Sequence, residues 1–250
     1  MITINGYAVP ITQFPDHTSQ VWKLDEAFLR DGRPAYVEWI FENEGEVMHL
    51  AQLAALLRTR PGQRHLDIRY LPYARQDKMV ANNATFALRV FAPILNLMAW
   101  DSVTLFDPHS EVALELIEKS RPSYFAHEAV RAMKMSGCDT ICFPDQGALS
   151  KYKPLFWGHN YVSARKTRDQ ATGKITGAEI SNDVHGLKLM IVDDICDGGA
   201  TFINLAGMLR ARGASDVCLF VSHGLFTRGV KVLKDAGISR VFTPKEEVFA

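Results

Sequence analysis

Short apolar runs alternate along the chain with longer stretches in which apolar residues recur every three or four positions. That is the pattern of strands joined by helical crossovers around a mainly parallel sheet. The strands it predicts are Ala35 to Phe41, His65 to Tyr70, Ser102 to Phe106, Thr140 to Phe143, Lys188 to Val192 and Val217 to Val221. Predicted helices are Glu46 to Arg58, EVMHLAQLAALLR, a segment beginning HEAVRAMKMSG at His127, and Thr201 to Arg212, TFINLAGMLRAR, with Gly213 placed as a C-cap. The pattern is interrupted at Lys119-Ser120-Arg121-Pro122, and a boundary there gives two α/β domains, residues 1–122 and 123–250, each of ordinary domain size. Arg165 to Gly186, rich in Lys, Arg, Thr, Gly, Asn and Asp, reads as a long excursion between strands, the kind of loop that is usually functional or disordered.

Composition adds little to this picture but narrows the function classes. With 250 residues, 47% of them hydrophobic, the chain has enough apolar material for a core in each half. Its 28 basic and 28 acidic side chains cancel, so charge points to no particular partner, and neither nucleic acid nor membrane is expected as one. Four cysteines without a C-x-x-C pair favour a reducing, cytoplasmic setting over a disulfide scaffold. The opening MITINGYAVPITQFPD lacks a basic start followed by an apolar core, so export is not expected.

Chemistry concentrates in IVDDICDGGATF, residues 191–202. The run LKLMIV, residues 187–192, is strand material and ends in Asp193 and Asp194; Asp197, Gly198, Gly199, Ala200 and Thr201 follow as a turn of small residues leading into a helix. In open parallel sheets, ligands collect outside the carboxyl ends of strands. Backbone N–H groups in such a turn, aided by the positive end of the next helix, suit a phosphate. Acids beside a phosphate cradle are compatible when one ligand offers hydroxyls to the first and phosphate to the second, as a ribose phosphate does. The same residues also read as an ordinary strand-to-helix turn with Asp197 or Thr201 as its cap.

The stretch resembles the phosphoribosyl-pyrophosphate-binding motif shared by type I phosphoribosyltransferases and ribose-phosphate pyrophosphokinases. Other segments favour the second family. LPYARQDK, residues 71–78, is similar to a pyrophosphokinase signature, and the resemblance implies that Arg75 and Gln76 contact ATP. A planar guanidinium suits polyphosphate, whose oxygens it can engage in pairs. LFDPHSE, residues 105–111, resembles the family's Asp-Leu-His segment with Pro108 in place of Leu, which implies that His109 serves the ATP and a magnesium site. FPDQGALS, residues 143–150, resembles Ser-Pro-Asp-x-Gly-Gly with Ala148 at the second glycine, and implies that Asp145 lies near the ribose and a metal. FPDHTSQVW, residues 14–22, resembles Phe-x-Asp-Gly-Glu; it implies that Phe14 and Asp16 reach the adenine of a neighbouring subunit, with His17 and Thr18 replacing Gly and Glu. SARKTRD, residues 163–169, resembles the flexible-loop Lys-Arg-Arg segment, which implies a catalytic role for Lys166 and Arg168 in closing over the transferred group.

Taken together, the resemblance is to a short phage-like or divergent member of the ribose-phosphate pyrophosphokinases. It implies an α/β fold of two phosphoribosyltransferase-like (type I) domains, each a mainly parallel sheet flanked by helices, the first binding ATP and the second the ribose phosphate. It further implies Mg²⁺, a homo-oligomer with an inter-subunit ATP site, and transfer of the diphosphoryl group of ATP to the anomeric hydroxyl of ribose 5-phosphate. One departure stands out: relatives usually read Asp-Thr-x-Gly-Thr where this chain reads Asp197-Gly198-Gly199-Ala200-Thr201. The lost hydroxyl would be worth about 1.5–3 kcal/mol as a hydrogen bond to phosphate. A bulkier diester acceptor such as ADP-ribose, used in NAD salvage, is therefore the alternative acceptor, and a non-catalytic regulatory homologue is the alternative class.

Overall fold

In a computed structural model, residues 1–30, 32–168 and 175–249 are described, with the side chains of residues 29, 166–168 and 175–178 outside that description. The chain divides into two units, Met1–Tyr124 and Phe125–Ala250.

The first unit begins with short strands, β1 (Ile2–Ile4), β2 (Tyr7–Ala8), β3 (Ile11–Gln13) and β4 (Ser19–Val21), and a short helix, α1 (Glu26–Arg30). Crossover units follow: β5 (Ala35–Ile40), α2 (Gly45–Leu57), β6 (Arg64–Tyr70), α3 (Ala87–Leu97), β7 (Ser102–Phe106), α4 (Val112–Leu116) and β8 (Ser120–Ser123). Six strands make one sheet in the order β2-β1-β5-β6-β7-β8. Its strands β5 to β8 are parallel, and β1 runs antiparallel to β5. Among the described residues, β3 and β4 pair only with each other. Alternation explains β5, which buries Ala35, Val37 and Trp39 and turns Tyr36 and Glu38 outward. Helix α2 covers that face with Leu50, Leu53, Ala54 and Leu57, one stripe at helical spacing. The buried indole of Trp39 donates its N–H to Glu46 at 3.0 Å, so the strand and the helix share a satisfied polar contact in the core.

The predicted interruption at residues 119–122 is instead the start of an edge strand. β8 pairs with β7 in parallel, Leu105 opposite Pro122. Proline is tolerated there because one side of an edge strand donates no ladder hydrogen bonds.

The second unit contains α5 (Ala126–Ser136), β9 (Thr140–Phe143), α6 (Gln146–Tyr152), a 3₁₀ turn at Lys153–Phe156, β10 (Asn160–Arg168) and β11 (Ile175–Ile180). It continues with β12 (Lys188–Cys196), α7 (Ala200–Ala211), β13 (Asp216–Gly224), α8 (Lys231–Asp235), β14 (Val241–Phe242) and β15 (Glu247–Phe249). The seven strands are ordered β11-β10-β9-β12-β13-β14-β15. The inner strands are parallel, with β11 and β15 antiparallel at the edges. All of β9 is buried, and so is β13 from Val217 to His223, as expected of strands covered on both faces. Helix α7 packs Phe202, Leu205, Ala206 and Leu209 against this sheet. Gly213 follows it at φ +85°, the left-handed conformation a helix C-terminus favours.

Two boundaries differ from the sequence reading. Within the Arg165 to Gly186 excursion, residues 165–168 and 175–180 are paired strands: β10 runs beside β9 as far as Ser163, then pairs with β11 from Ala164 onward, and residues 169–174 lie outside the described residues. Its polar residues hid a ribbon whose two halves satisfy each other's backbone. Strand β12 also continues past Val192 to Cys196, which places Asp193 and Asp194 inside the strand. Among the described residues, no helix is long and apolar enough to cross a membrane.

Candidate active site

The order of strands in the second sheet marks one place where a ligand fits. From β9 the chain passes through α6 to β10 on one side, whereas from β12 it passes through α7 to β13 on the other. β9 and β12 are adjacent and parallel, so the two connections diverge at their carboxyl ends and leave a crevice between them. Asp145 follows the end of β9, and Asp193 and Asp194 lie near the end of β12. Topology therefore collects the acids that the sequence separates by nearly fifty positions.

Their surroundings differ. Successive strand residues face opposite sides of a sheet; accordingly Asp193 is half-buried and Asp194 is 7% exposed. The Asp194 N–H donates to Asp193 Oδ1 at 3.0 Å. Burial pushes the Asp193 carboxyl well above the usual aspartate range; the neighbouring charges of Asp194 and Asp145 add to the rise, and Lys151 opposes it. Asp145 caps α6, accepting the Ala148 N–H at 3.0 Å. Lys151, on the same helix, has its ammonium 4.8 Å from the Tyr152 ring centre. The sequence reading missed Lys151, because nothing in its spacing distinguishes it from a surface lysine.

The turn after β12 leads directly into a helix. Helix α7 starts at Ala200, and its N-cap residue, Gly199, has φ +77° and no side chain to cap with. The Asp197 carboxylate accepts the Thr227 hydroxyl at 2.6 Å. The first N–H groups of a helix have no partner within it, and an anion is one partner that suits them. The two glycines are confined to different degrees. A Cβ at Gly199 would stand 2.8 Å from Leu233 Cδ2, and one at Gly198 would stand 3.2 Å from Arg228 Cδ. Ala200 and Thr201 are exposed in the first turn of α7.

Magnesium suits this donor set in one particular way. Among the described residues, no three His, Cys, Asp or Glu side chains converge to hold a metal by themselves. Mg²⁺ is typically held by one or two carboxylates together with waters and substrate phosphates, and Asp145 and Asp193, near enough for the charge of the first to act on the second, can supply that minimal protein share.

In the first unit, β6 and β7 are adjacent and parallel, and the residues assigned to ATP follow their carboxyl ends. Arg75 and Gln76 are exposed in the loop after β6. That loop is fixed from below by buried Leu71 and Ala74, by the Tyr73 hydroxyl donating to Glu44 at 2.7 Å, and by the Gln76 carbonyl, which accepts the Leu88 N–H at 3.2 Å. His109 is exposed after β7, beyond a fully buried Asp107. Phe14 and Asp16 lie apart from these, on the β3–β4 ribbon. Asp16 accepts the Thr18 N–H at 3.0 Å and its hydroxyl at 2.7 Å, and those bonds lower its pKa. Phe14 stacks at 6.4 Å on Trp22. Lys166 and Arg168 have their backbone on β10, while their side chains lie outside the described residues.

Comparisons with known proteins bear on the chain as a whole. Residues 162–244 match the family model described as the phosphoribosyl synthetase-associated domain. The chain is 28% identical to the ribose-phosphate pyrophosphokinase of Pyrococcus abyssi, over 88% of this chain and 78% of that one. It is likewise 28% identical to the enzyme of that name from Thermoplasma volcanium, over 83% and 74%. In three dimensions it superimposes on the phosphoribosylpyrophosphate synthetase of Mycobacterium smegmatis with a TM-score of 0.74 at 21% identity, covering 94% of this chain and 79% of that one, a likeness of fold. Domain match and relatives point the same way: the chain is similar to the ribose-phosphate pyrophosphokinases.

Proposed function

We propose that the protein is an ATP-dependent pyrophosphokinase that transfers the diphosphoryl group of MgATP to the anomeric hydroxyl of ribose 5-phosphate, yielding phosphoribosyl pyrophosphate and AMP. The observation that carries this reading is the crevice between β9 and β12, where Asp145 and Asp193 meet across a topological switch beside the start of α7. Asp193 and Asp194 take the ribose hydroxyls, Asp193 as the more exposed of the two. The turn of Asp197, Gly198, Gly199, Ala200 and Thr201 holds the 5-phosphate through backbone N–H groups.

In the transfer, the anomeric oxygen bonds to the β-phosphorus of ATP as the bond from that phosphorus to the α,β-bridging oxygen breaks. The hydroxyl proton goes to solvent, and AMP leaves. Such a reaction asks the protein mainly for positioning and for neutralising charge on the transferred oxygens. Arg75 and Gln76 hold the polyphosphate, His109 helps to place it, and Lys166 and Arg168 close over the transferred group. Mg²⁺, for which Asp145 and His109 are each candidate ligands, would supply charge neutralisation along the triphosphate. On this reading the first domain, residues 1–122, binds ATP and the second, residues 123–250, binds the sugar phosphate. Phe14 and Asp16 complete the adenine site of a neighbouring copy in a homo-oligomer, and the enzyme works in the cytoplasm.

Gly198 favours a second acceptor, because the hydroxyl that relatives use for a phosphate monoester is missing. ADP-ribose, a diester at the 5-position, is that acceptor. The test is to supply MgATP with ribose 5-phosphate and with ADP-ribose separately and to follow AMP. Release dependent on ribose 5-phosphate supports the first reading, release dependent on ADP-ribose alone supports the second, and no release with either refutes both.

A further inference from the structure

The glycine that empties the phosphate turn at position 198 is covered by a residue thirty positions away. A Cβ at Gly198 would lie 3.2 Å from Cδ and 3.6 Å from Cγ of Arg228. The arginine's placement is built into the backbone. Leu225 and Phe226 both donate their N–H groups to the Cys196 carbonyl, at 2.9 and 3.0 Å, which ties the segment after β13 to the end of β12. Thr227 donates its hydroxyl to Asp197 at 2.6 Å, the first residue of the phosphate turn. Gly229, at φ +73°, donates to the Phe226 carbonyl at 2.7 Å and closes a tight turn with Arg228 inside it. Arg228 is exposed, and among the described residues it makes no hydrogen bond or ion pair.

We infer that Arg228 is an acceptor-binding residue whose guanidinium grips the phosphoryl group seated in the 197–201 turn, replacing the hydroxyl that residue 198 lacks. The inference rests on the proposed ribose-phosphate site and adds a specific residue to it. Three physical points carry it. The guanidinium carbon is two bonds beyond Cδ, so a side chain packed by its stem on Gly198 keeps its charged head at the mouth of the turn. The turn stands close to acids, since Asp197 belongs to it and Asp193 and Asp194 lie just before it. An anion entering there gains from a nearby cation, and a guanidinium offers phosphate several donors in place of one hydroxyl. Finally, a side chain at 198 and the present pose of Arg228 compete for one space, so glycine at 198 and arginine at 228 are two halves of one change.

Binding of the acceptor, measured by calorimetry without ATP, tests this directly. Ribose 5-phosphate and ADP-ribose are titrated separately into the wild type, Arg228→Met, which keeps the stem and removes the charge, and Arg228→Lys. Loss of a charge-assisted phosphate contact should weaken the ester that the wild type binds by about tenfold to a hundredfold in the Met variant. Lys should recover part of the loss, and unchanged thermal unfolding would show that the fold is intact. Coupling gives a second readout: Gly198→Thr should weaken binding beside Arg228 but strengthen it in an Arg228→Gly background, where the space is open. If wild type and Arg228→Met bind the ester equally, or if the two substitutions are simply additive, the inference falls while the ribose-phosphate reading stands. If the wild type binds neither ester, the acceptor assignment falls and takes the inference with it.

Discussion

The two units use the same crossover units but add strands differently. In the first, successive parallel strands β5, β6, β7 and β8 are laid down in one direction across the sheet. In the second, the chain starts in the middle at β9, moves outward to β10 and β11, then returns to β12 on the other side before continuing to β13 and β14. Only a sheet that reverses in this way opens a crevice between two neighbouring strand ends. The second unit's candidate residues accordingly come from strand ends and their turns, where burial shifts the proton affinity of Asp193. The first unit's candidates, Arg75, Gln76 and His109, are exposed on loops after β6 and β7. A crevice suits a compact sugar phosphate held by fixed groups, and loops over a uniform sheet suit an extended polyphosphate.

Substitutions in each unit can break that contrast. The largest effect is expected at Lys166, on the ribbon of the second unit: Lys166→Ala should lower kcat by about 10²–10³-fold, the size seen when one transition-state donor is removed. Acceptor affinity should change little, and steady-state AMP release beside calorimetry would show whether it does. Next comes Asp193→Asn, which should reduce kcat/KM for the acceptor by about a hundredfold through loss of a charged hydroxyl acceptor. The same variant should unfold at a higher temperature at neutral pH. Because the folded carboxyl binds its proton more tightly than the unfolded one, this group adds stability at low pH and loses it as pH rises from the ordinary aspartate value through its raised folded value. The gap in Tm between variant and wild type should therefore widen with pH across that window; a gap that narrows would overturn the burial argument. The smallest effect is expected in the first unit, where Arg75→Ala should raise KM for MgATP by about tenfold and leave acceptor binding unchanged. Equal losses for both substrates would erase the division of labour between the units.

Parts of this arrangement were legible in the sequence, and the physical reasons are plain. Thr140–Phe143 and Val217–Val221 announce themselves because strands covered on both faces are continuously apolar, and α2 and α7 do so through one stripe at helical spacing. Strands whose identity depends on a partner were not. β1 to β4 are very short, β8 contains Pro122, and β10 and β11 are polar beyond Ser163 because each lies in a ribbon or edge. The acids and glycines of residues 193–199 were visible as a cluster, since one strand-to-turn junction carries them all. Local pattern did not show what the cluster meets: Asp145, from the neighbouring strand, entered through the resemblance alone, while Lys151, from the helix that follows it, and Thr227 and Arg228, from the turn after β13, were missed. Local pattern records what a residue does for its own element. It carries no trace of contacts made across a sheet.

The unequal confinement of the two glycines also bears on how this turn can drift. Position 199 is closed twice over, by a backbone conformation that side chains rarely adopt and by Leu233 at 2.8 Å from the first atom any side chain would add. Position 198 is closed only by the flexible stem of Arg228. In a saturation library the first would tolerate nothing, and the second would tolerate whatever its distant neighbour allowed. A lineage could regain a hydroxyl at 198 by a short route only after residue 228 had already shrunk. The order of those two steps, more than either alone, would decide whether the path stays open.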